Sequence, residues 1–487
     1  MVLPGEPTAD FSAAANPPGH RSFGDMMRQA VSLHRDRRFL DAIGVYRQIL
    51  LTYPGNPHAL TYVGCALLEI GQTAEAVDKL RAAVAADPNS TDAQSSLGNA
   101  LQVMGDWRGA EAAYRSALDL QPSECRTHNN LGVLLLGLNR LEEAAECFRS
   151  GLVLDPDHVQ AHNNICQAYT KLEDIDGAIE AGQRAVELAP NYAEAHNSLG
   201  AALAKAERFE DAISAFREAL SIRPKFLDAL SNLALGLING GRPGEAVAVT
   251  DTCLEIDPGN MDVLATRSVA LNEAGDADGF QKLVDADFLL QKIRIDPPPE
   301  FDGLAGFNAA LAHHIQTHPT LEFAPSGHAT RHGKHSGDLL VEPMGPMAEF
   351  EKIIGKCFER YVAALPVDDE HPFLARQPSN WTLSVWGLVL PAQGYQVPHF
   401  HRAGWISGCY YVQVSDAVSD PEDGHDGWIE FGRPQSIYHT AASPRVHLVR
   451  PEEGLMVLFP SFFFHRTIPF ETDADRICIA FDVQPDP

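Results

Sequence analysis

The sequence predicts an α solenoid followed by a mainly-β domain with supporting helices. Three observations support this prediction: prolines recur at a fixed spacing, the composition changes near residue 295, and short β-like runs follow. The length of 487 residues allows two to four domains of ordinary size. We expect a disordered tail at 1–22, a solenoid at 23–285, a linker and lid at 286–345, and a β core at 346–487.

Seven prolines share one register through the first half of the chain. They are 34 residues apart each time: Pro54, Pro88, Pro122, Pro156, Pro190, Pro224 and Pro258. Alanine stands 12 residues before every one of them, and a small residue stands 24 before. Small residues let two helices approach closely, and a proline ends the second helix. We therefore predict seven helical hairpins over about 23–260 and a capping helix pair at 261–285.

This pattern of small residue, Ala, aromatic residue, Ala and Pro resembles the tetratricopeptide repeat. The resemblance implies a groove that binds a protein or peptide client. Asparagine amides can pair with an extended backbone, so we take the recurring asparagines as candidate partner-binding residues. They are Asn130, Asn164 and Asn232, with Asn129, Asn163 and Asn197 one position earlier. The alternative is that these positions are only solvated and that the solenoid docks or forms a homodimer.

Charge and composition exclude several classes of partner. The formal charge of −28 disfavours nucleic acid and anionic membrane surfaces, both of which need a basic face. No uncharged apolar run is long enough for a membrane span, and the N-terminus lacks the pattern of a secretory signal. The eight cysteines stand singly without a CxxC motif, which predicts reduced thiols in a cytoplasmic protein.

The residues typical of metal chemistry lie near the C-terminus. His399 and His401 are two residues apart, so on a strand both side chains would point to one face. His465 follows a second apolar strand, and Arg476 lies 11 residues beyond it. Neutral imidazoles can bind one metal ion, and an arginine offers a planar fork to a carboxylate. This order resembles the layout of an iron(II), 2-oxoglutarate-dependent oxygenase.

The C-terminal half resembles a family of 2-oxoglutarate/iron oxygenases that often follows tetratricopeptide repeats. The matching motifs are WTLSVWG, HFH, SGCYY, DGWIEFGRP and PEEGLMVLFP, closed by His465 and Arg476. The resemblance implies a double-stranded β-helix (jelly-roll) in which His399, His401 and His465 hold Fe(II) and Arg476 holds 2-oxoglutarate. Dioxygen is then the second cosubstrate, and hydroxylation of a client recruited by the repeats is the expected activity.

Two positions depart from the wider superfamily. Most of its enzymes have a carboxylate where this chain has His401, so a site in which only His399 and His465 bind iron stays open. Many relatives have a serine two residues after the arginine, where this chain has Cys478, a poor hydrogen-bond donor. The candidates for the missing hydroxyl beside 2-oxoglutarate, by strand phase, are Ser407, Tyr411 and Tyr410.

Other interpretations stay open at this point. The chain could be an oxygenase of a small metabolite or lipid, a non-catalytic interaction scaffold, or a cupin-type metal protein. A cupin usually adds a glutamate soon after HxH, and RAGWIS at 402–407 has none. Arg476 could instead pair with Asp473 or Asp475. A further set of histidines favours an exposed loop or lid over a metal site: His313, His314, His318, His328, His332 and His335.

Overall fold

The structure is a computed structural model that describes residues 22–324, 329–341, 345–391, 393–415, 418, 424–471 and 474–486. The chain forms two compact units, Met1–Arg208 and Phe209–Pro487, and each is described by itself. The predicted tail lies outside the described residues except for Ser22, whose hydroxyl caps the first helix by accepting from the Asp25 N–H. No helix among the described residues is both long and apolar enough to span a membrane.

The described part of the first unit consists of five of the predicted helical hairpins followed by one further helix. Its helices are α1 (Phe23–Arg35), α2 (Phe39–Thr52), α3 (Pro57–Glu69), α4 (Thr73–Ala86), α5 (Thr91–Met104), α6 (Trp107–Leu120), α7 (Cys125–Gly137), α8 (Leu141–Leu154), α9 (Val159–Lys171), α10 (Ile175–Leu188) and α11 (Ala193–Lys205). The second helix of each hairpin ends two residues before the repeat proline, as Leu120 does before Pro122. The small residue sets the helix separation, since a Cβ at Gly98 would lie 2.6 Å from the Tyr114 ring.

The second unit contains more hairpin helices and the described strands. Its helices are α12 (Phe209–Ile222), α13 (Leu227–Asn239), α14 (Pro243–Ile256), α15 (Met261–Glu273), α16 (Ala277–Leu283), α17 (Ala286–Leu289), α18 (Gly303–Gln316) and α19 (Pro346–Ala364). Its strands are β1 (Gln291–Arg294), β2 (Glu322–Phe323), β3 (Thr330–Arg331), β4 (Lys334–His335), β5 (Trp381–Leu390), β6 (Tyr395–Gln396), β7 (Ile406–Gln413), β8 (Ile429–Phe431), β9 (His447–Val449), β10 (Leu455–Pro460), β11 (His465–Thr467) and β12 (Arg476–Pro485). The predicted order of an α solenoid followed by a mainly-β domain with supporting helices is confirmed.

The strands form antiparallel sheets. The largest has the order β1-β10-β7-β12-β5-β4-β2, a second has the order β11-β8-β9, and β3 pairs with β6. Helices α18 and α19 cover one face of the large sheet: the rings of Phe350 and Tyr410 lie 4.9 Å apart, and Gly387 makes room for Ile315. The apolar runs that predicted strands are therefore the buried centre of this sheet, and its other face is available to a site.

The predicted linker and lid, 286–345, has a different role in the structure. Its described residues supply two helices and four short strands, of which β1 pairs with β10 and β4 pairs with β5. Strands of two to four residues carry no usable alternation of polar and apolar side chains, so only their pairing reveals them. The compact units also divide at 208, not at the predicted boundary of 285. Two parts of the predicted lid, 325–328 and 342–344, lie outside the described residues.

The connection between β8 and β9 lies against the last hairpin helices. The Asn239 side chain donates to the Ile437 carbonyl and accepts from the His439 N–H, both at 2.9 Å. The Glu273 carboxylate accepts from the backbone N–H groups of 441–442. Asn239 and Glu273 occupy the same position in successive 34-residue repeats. Side chains of the repeat helices thus contact the main chain of this segment, and Thr266 also contacts one of its side chains, with its hydroxyl 2.9 Å from that of Tyr438.

Candidate functional site

Three histidines that are distant in sequence meet in the second unit. A bridge between two segments joins His399 and His465, whose backbone N–H groups donate to each other's carbonyls at 3.0 and 2.8 Å. His401 stands two residues further along, at the start of the segment that leads into β7. One ligand nitrogen from each ring lies within 4.8 Å of the others. The structure therefore brings together all the residues that the sequence predicts as metal ligands.

Hydrogen bonds determine which nitrogen of each ring carries the proton. His399 Nδ1 lies 2.9 Å from the Val397 carbonyl, and His465 Nδ1 lies 3.0 Å from the Phe463 carbonyl. A carbonyl can only accept, so in both rings Nδ1 is the donor. The neutral form of each ring then has its lone pair on Nε2, which is the atom left to bind a metal ion.

Burial keeps two of these rings neutral. Burial, in which the charged form would lose its hydration, and then the neighbouring His401 ring lower the pKa of His399 to about 3. The pKa of His465 lies well below its ordinary value, again mainly through burial and then through His399 and His401. A metal ion must displace a proton from a charged histidine, so neutral rings are ready to bind.

Arg476 begins β12 and is almost fully buried, with 2% of its surface exposed. Its Nη1 donates to the Gly427 carbonyl, and its Nε lies 3.4 Å from Cys478 Sγ. The guanidinium carbon lies 5.1 Å from the centre of the Tyr411 ring. In the described part of the chain, no carboxylate forms an ion pair with it. A buried cation without a counter-charge is costly, so this arrangement favours an anionic ligand.

One cavity of about 310 Å³ joins the histidines to Arg476. The large sheet supplies Leu388 and Cys409 to its wall, and the β11-β8-β9 sheet supplies Ile429 and Thr467. The cavity therefore lies between the two sheets. Its volume is at the low end of the range for small-molecule sites. None of its described lining residues is an aspartate or glutamate.

The three hydroxyl groups that the sequence offers as contacts of 2-oxoglutarate lie in different places in the structure. Tyr411 lines the cavity beside Arg476. Tyr410 points the other way, and its hydroxyl donates to Asn308 of α18 at 2.6 Å. Ser407 is fully buried, and its hydroxyl contacts His401 Nδ1 at 3.0 Å instead of reaching Arg476. Strand alternation placed Ser407 and Tyr411 on the same face of β7, but it could not tell that only Tyr411 reaches the cavity.

Asp482 is a site residue that the sequence reasoning missed. Its Oδ1 lies 2.5 Å from His401 Nδ1 and accepts from the Ser407 hydroxyl at 2.6 Å. A signal was present: alternate positions on β12 from Arg476 onward face one side, and Asp482 is in that phase. The same phase includes Cys478, which does line the cavity.

His335 belongs to the histidine set that favoured a loop or lid, yet it lines the cavity. Its ring stacks on Trp386 at a centroid distance of 5.9 Å, and Trp386 in turn contacts the His401 ring. His314 and His318 contact each other near the end of α18. His328, of the same set, lies outside the described residues. Of the alternative partners of Arg476, Asp473 is likewise outside them, and Asp475 makes no ion pair with it.

The asparagines of the first unit hydrogen-bond between successive repeats. Asn164 Nδ2 donates to Asn129 Oδ1 at 3.0 Å, and Asn130 Nδ2 donates to Asn99 Oδ1 at the same distance. Asn163 is buried beside them. Asn129 and Asn130 line a cavity of about 400 Å³ with other short polar side chains, Ser95, Ser96, Asn99 and Thr127. The two other predicted positions are half-buried, Asn197 on α11 and Asn232 on α13.

Comparisons with protein families match repeat models in the N-terminal part of the chain and an oxygenase model near its C-terminus. The family model described as "Putative 2OG-Fe(II) oxygenase" matches residues 384–482, which include the three histidines and Arg476. Two tetratricopeptide-repeat models match the first half, one at 157–225 and the other at 27–91, 96–159 and 197–261. No curated protein matches the sequence. Both predicted resemblances are thereby confirmed.

Three solved structures that are similar to part of the chain cover half of it or less. The APC/C hetero-tetramer Cut9-Hcn1 gives a TM-score of 0.46 at 20% identity, over 50% of this chain and 48% of that chain. PilF of Pseudomonas aeruginosa gives 0.39 at 21% identity, over 42% and 94%. YrrB, titled a TPR protein with an unusual peptide-binding site, gives 0.33 at 18% identity, over 38% and 95%. The chain thus spans about half the length of the first of these.

Proposed function

We propose that this chain, a tetratricopeptide-repeat protein with a 2OG-Fe(II) oxygenase-family domain at its C-terminus, is an Fe(II)- and 2-oxoglutarate-dependent dioxygenase. Its proposed substrate is a protein or peptide client that the repeats recruit, with hydroxylation as the outcome. One observation carries the proposal: a single cavity holds three clustered histidine nitrogens and a buried arginine that has no carboxylate partner among the described residues.

The histidines fit a divalent transition metal. His399, His401 and His465 would hold Fe(II), since imidazole is a common ligand of iron and the Nε2 atoms of His399 and His465 are free of protons. Three protein ligands leave coordination positions for other groups. All three rings line the cavity, so these positions would be reached from it.

Arg476 fits the second carboxylate of 2-oxoglutarate. Its guanidinium is a rigid fork that can bind a carboxylate with two hydrogen bonds, and Tyr411 supports it from the side. We assign no contact with 2-oxoglutarate to Ser407, because its hydroxyl is engaged at His401. Cys478 contacts the guanidinium itself, so it does not replace the serine that many relatives have there.

Iron and 2-oxoglutarate, when bound, supply the activation of dioxygen, with succinate and carbon dioxide as coproducts. The chain's own residues would orient these groups and keep water away. Leu388, Ile429 and Phe459 give the cavity an apolar wall, which limits the water around a reacting C–H bond. The stacked rings of His335 and Trp386 form the part of the cavity wall next to His401. These side chains would therefore position a substrate against the metal.

The repeats supply the support for a protein client. The cavity at Asn129 and Asn130 presents amide and hydroxyl groups that can pair with a main chain. The same chain already uses this mode of binding, because Asn239 and Glu273 hold the main chain of the β8–β9 connection. We therefore propose that an extended client segment pairs with Asn129, Asn130 and the neighbouring asparagines. The cytoplasmic location and the homodimer stay predictions.

The first test is optical and needs no client. The protein is purified without oxygen, Fe(II) and 2-oxoglutarate are added, and the visible spectrum is recorded. Chelation of a 2-oxo acid at iron is expected to give a weak charge-transfer band. Arg476→Ala should need far more 2-oxoglutarate to reach the same band, because the buried cation is removed. Arg376→Ala, an exposed arginine outside the cavity, is the matched control and should behave as wild type.

Each outcome of this titration selects one interpretation. A band that depends on Arg476 and not on Arg376 supports the dioxygenase. Metal binding without any band favours a cupin-type protein instead. A protein that binds no metal ion would be an interaction scaffold, and the proposed function would be wrong.

The client is tested by capture under the same anaerobic conditions. Wild type loaded with Fe(II) and 2-oxoglutarate is used to capture peptides from a digest, and oxygen is then admitted. Captured peptides should gain one oxygen atom by mass spectrometry. An Asn129→Ala, Asn130→Ala double variant should capture fewer of them, with the charge-transfer band unchanged. Turnover of a free metabolite with no captured peptide would move the proposal to a small-molecule oxygenase.

A further inference from the structure

Asp482 contacts the histidine cluster without lining the cavity. It lies on β12 and is buried, with 7% of its surface exposed. Its Oδ1 accepts a hydrogen bond from His401 Nδ1 at 2.5 Å and another from the Ser407 hydroxyl at 2.6 Å. The Ser407 hydroxyl also lies 2.8 Å from that of Ser461. The carboxylate is therefore held from two sides behind the His401 ring.

The backbone closes tightly over this group. A Cβ at Gly404 would lie 2.5 Å from the Ser461 hydroxyl oxygen and 3.2 Å from the Cβ of Asp482. The His401 N–H donates to the Ser461 carbonyl at 2.9 Å. The position of Asp482 relative to His401 is thus set by packing and main-chain contacts as well as by the hydrogen bond itself.

His401 differs from the two other histidines in the charge of its partner. His399 and His465 donate from Nδ1 to the neutral carbonyls of Val397 and Phe463. His401 donates to a carboxylate. A carboxylate on one nitrogen of an imidazole makes the other nitrogen a stronger electron donor. Among these rings, His401 Nε2 is therefore the best donor to a cation.

The sum of the charges at the site explains what the contact between Asp482 and His401 contributes. A divalent metal ion and Arg476 together bring three positive charges, and 2-oxoglutarate brings two negative ones. The described lining residues include no carboxylate to supply the remaining negative charge. Asp482 supplies it from behind His401, where it needs no place among the metal's own ligands.

We infer that Asp482 is a positioning residue for the metal site. It fixes the orientation and the Nδ1–H form of the His401 ring and transmits negative charge to the metal through that ring. Ser407 orients the carboxylate. The inference rests on the proposed function, because it takes the histidine cluster as a divalent metal site.

Cobalt(II) binding to the metal-free protein tests this role without oxygen, 2-oxoglutarate or a client. Asp482→Asn keeps the shape and an acceptor oxygen but removes the charge. We expect its Kd for Co(II) to rise roughly 10- to 100-fold, as for other partners of metal-bound histidines, with a shift of the visible Co(II) spectrum. Asp369→Asn, an exposed carboxylate of the same unit, is the matched control and should match wild type.

A second variant covers the case in which Asp482→Asn does not fold. Ser407→Ala removes one hydrogen bond to the carboxylate and leaves the charge in place. Its Kd for Co(II) should rise about two- to tenfold, which is what one hydrogen bond is worth. Near-ultraviolet circular dichroism of the metal-free variants shows which of them are folded.

The outcomes separate this inference from the proposed function. If folded Asp482→Asn, or Ser407→Ala in its place, has the Co(II) affinity and spectrum of wild type, Asp482 has no positioning role. If His401→Ala also binds Co(II) as wild type does, His401 is not a ligand. The inference then fails while a site of His399 and His465 remains. If wild type itself binds no Co(II), the metal site and the proposed function fail together.

Discussion

The repeat helices and the histidine cavity assemble their polar groups in different ways. In the first unit, Asn130 contacts Asn99 and Asn164 contacts Asn129, at separations of 31 and 35 residues, close to one repeat length. In the cavity, His401 contacts Asp482 across 81 residues. The first kind of contact recurs from repeat to repeat, whereas the second occurs between segments with no repeating relation.

This difference predicts which parts of the chain should tolerate substitution. A repeat contact has neighbours of the same kind on either side, so the loss of one is expected to weaken the solenoid gradually. Each group of the cavity has its own role, and no neighbour can take it over. Variants of the cavity should therefore have large and specific effects, and variants of the repeats small ones.

The largest effect is expected at the metal cluster. His465→Ala removes one of three ligands and should weaken Fe(II) binding by more than about 100-fold, which is beyond the effect of losing an outer partner. Anaerobic equilibrium dialysis measures this. His313→Ala, an exposed histidine on α18, is the control and should bind iron as wild type does. Binding by His465→Ala within tenfold of wild type would contradict the metal site.

Acid should destabilise the histidine cavity in the metal-free protein. Unfolded histidines take up protons near pH 6.5, whereas folded His399 does so only near pH 3 and His465 also resists protonation. Their contribution to stability is thus complete above pH 6.5 and is lost as the pH falls toward 3. Between pH 7 and 5 we expect the second unit to lose roughly 2 kcal/mol of unfolding free energy for each of these two histidines.

Tryptophan fluorescence can measure this loss in the second unit alone. Four of the five tryptophans lie there, so Trp107→Phe leaves a signal from that unit only. Urea unfolding of this variant at both pH values gives the free energies. Adding His399→Gln should remove the part of the acid dependence that comes from this ring and leave that of His465, and an unchanged dependence would show that His399 does not contribute. Far-ultraviolet circular dichroism follows the helices for comparison.

Two glycines that each lie under an aromatic ring, one in the large sheet and one in a repeat helix, allow a finer comparison of the two regions. An added Cβ would lie 2.2 Å from the Phe481 ring at Gly408 and 2.5 Å from the Phe148 ring at Gly132. Gly408→Ala should cost about 1–3 kcal/mol of unfolding free energy through overpacking. Gly132→Ala should cost less, because alanine favours the helix by roughly 0.5–1 kcal/mol over glycine. Urea unfolding measures both, and a larger cost at Gly132 would reverse the comparison.

The smallest effect is expected at the surface of the repeats. Arg47 and Glu75 form an ion pair at 2.9 Å, with 54% and 39% of their side chains exposed. Such pairs are worth about 0–1 kcal/mol and are screened by salt. A double-mutant cycle with alanine at both positions should give a coupling in that range that shrinks at high salt. A larger coupling that salt does not change would show that this contact is more than a surface pair.

Much of the solenoid could be predicted from the sequence, because its contacts are nearly local. The proline that follows each hairpin and the glycine under the aromatic ring, such as Gly98 under Tyr114, lie within one repeat. The short strands of 286–345 could not be predicted, because β1, β3 and β4 pair with β10, β6 and β5 further along the chain, and β2 pairs with β4. The asparagine positions were predicted, but not that they would bond to each other.

The site was predictable in its chemistry and not in its detail. The spacing of His399, His401, His465 and Arg476 indicated metal and carboxylate binding, and the structure brings all four to one cavity. The contact of His401 with Asp482 depends on how β7 and β12 pair, which includes an irregular step between Ile477 and Cys478. Strand alternation alone does not predict such a shift in register.

The sequence by itself determined the repeat length, the ends of the hairpin helices and the residue types that can bind a metal and an anion. Helix geometry repeats every few residues, so a short stretch contains the information that shapes it. Only the tertiary structure decided that His399 would bridge to His465, that Asp482 would stand behind His401, and that the β8–β9 connection would lie on α13 and α15. Pairing between distant strands is selected by the total of their hydrogen bonds and buried surface, and no local stretch contains that total.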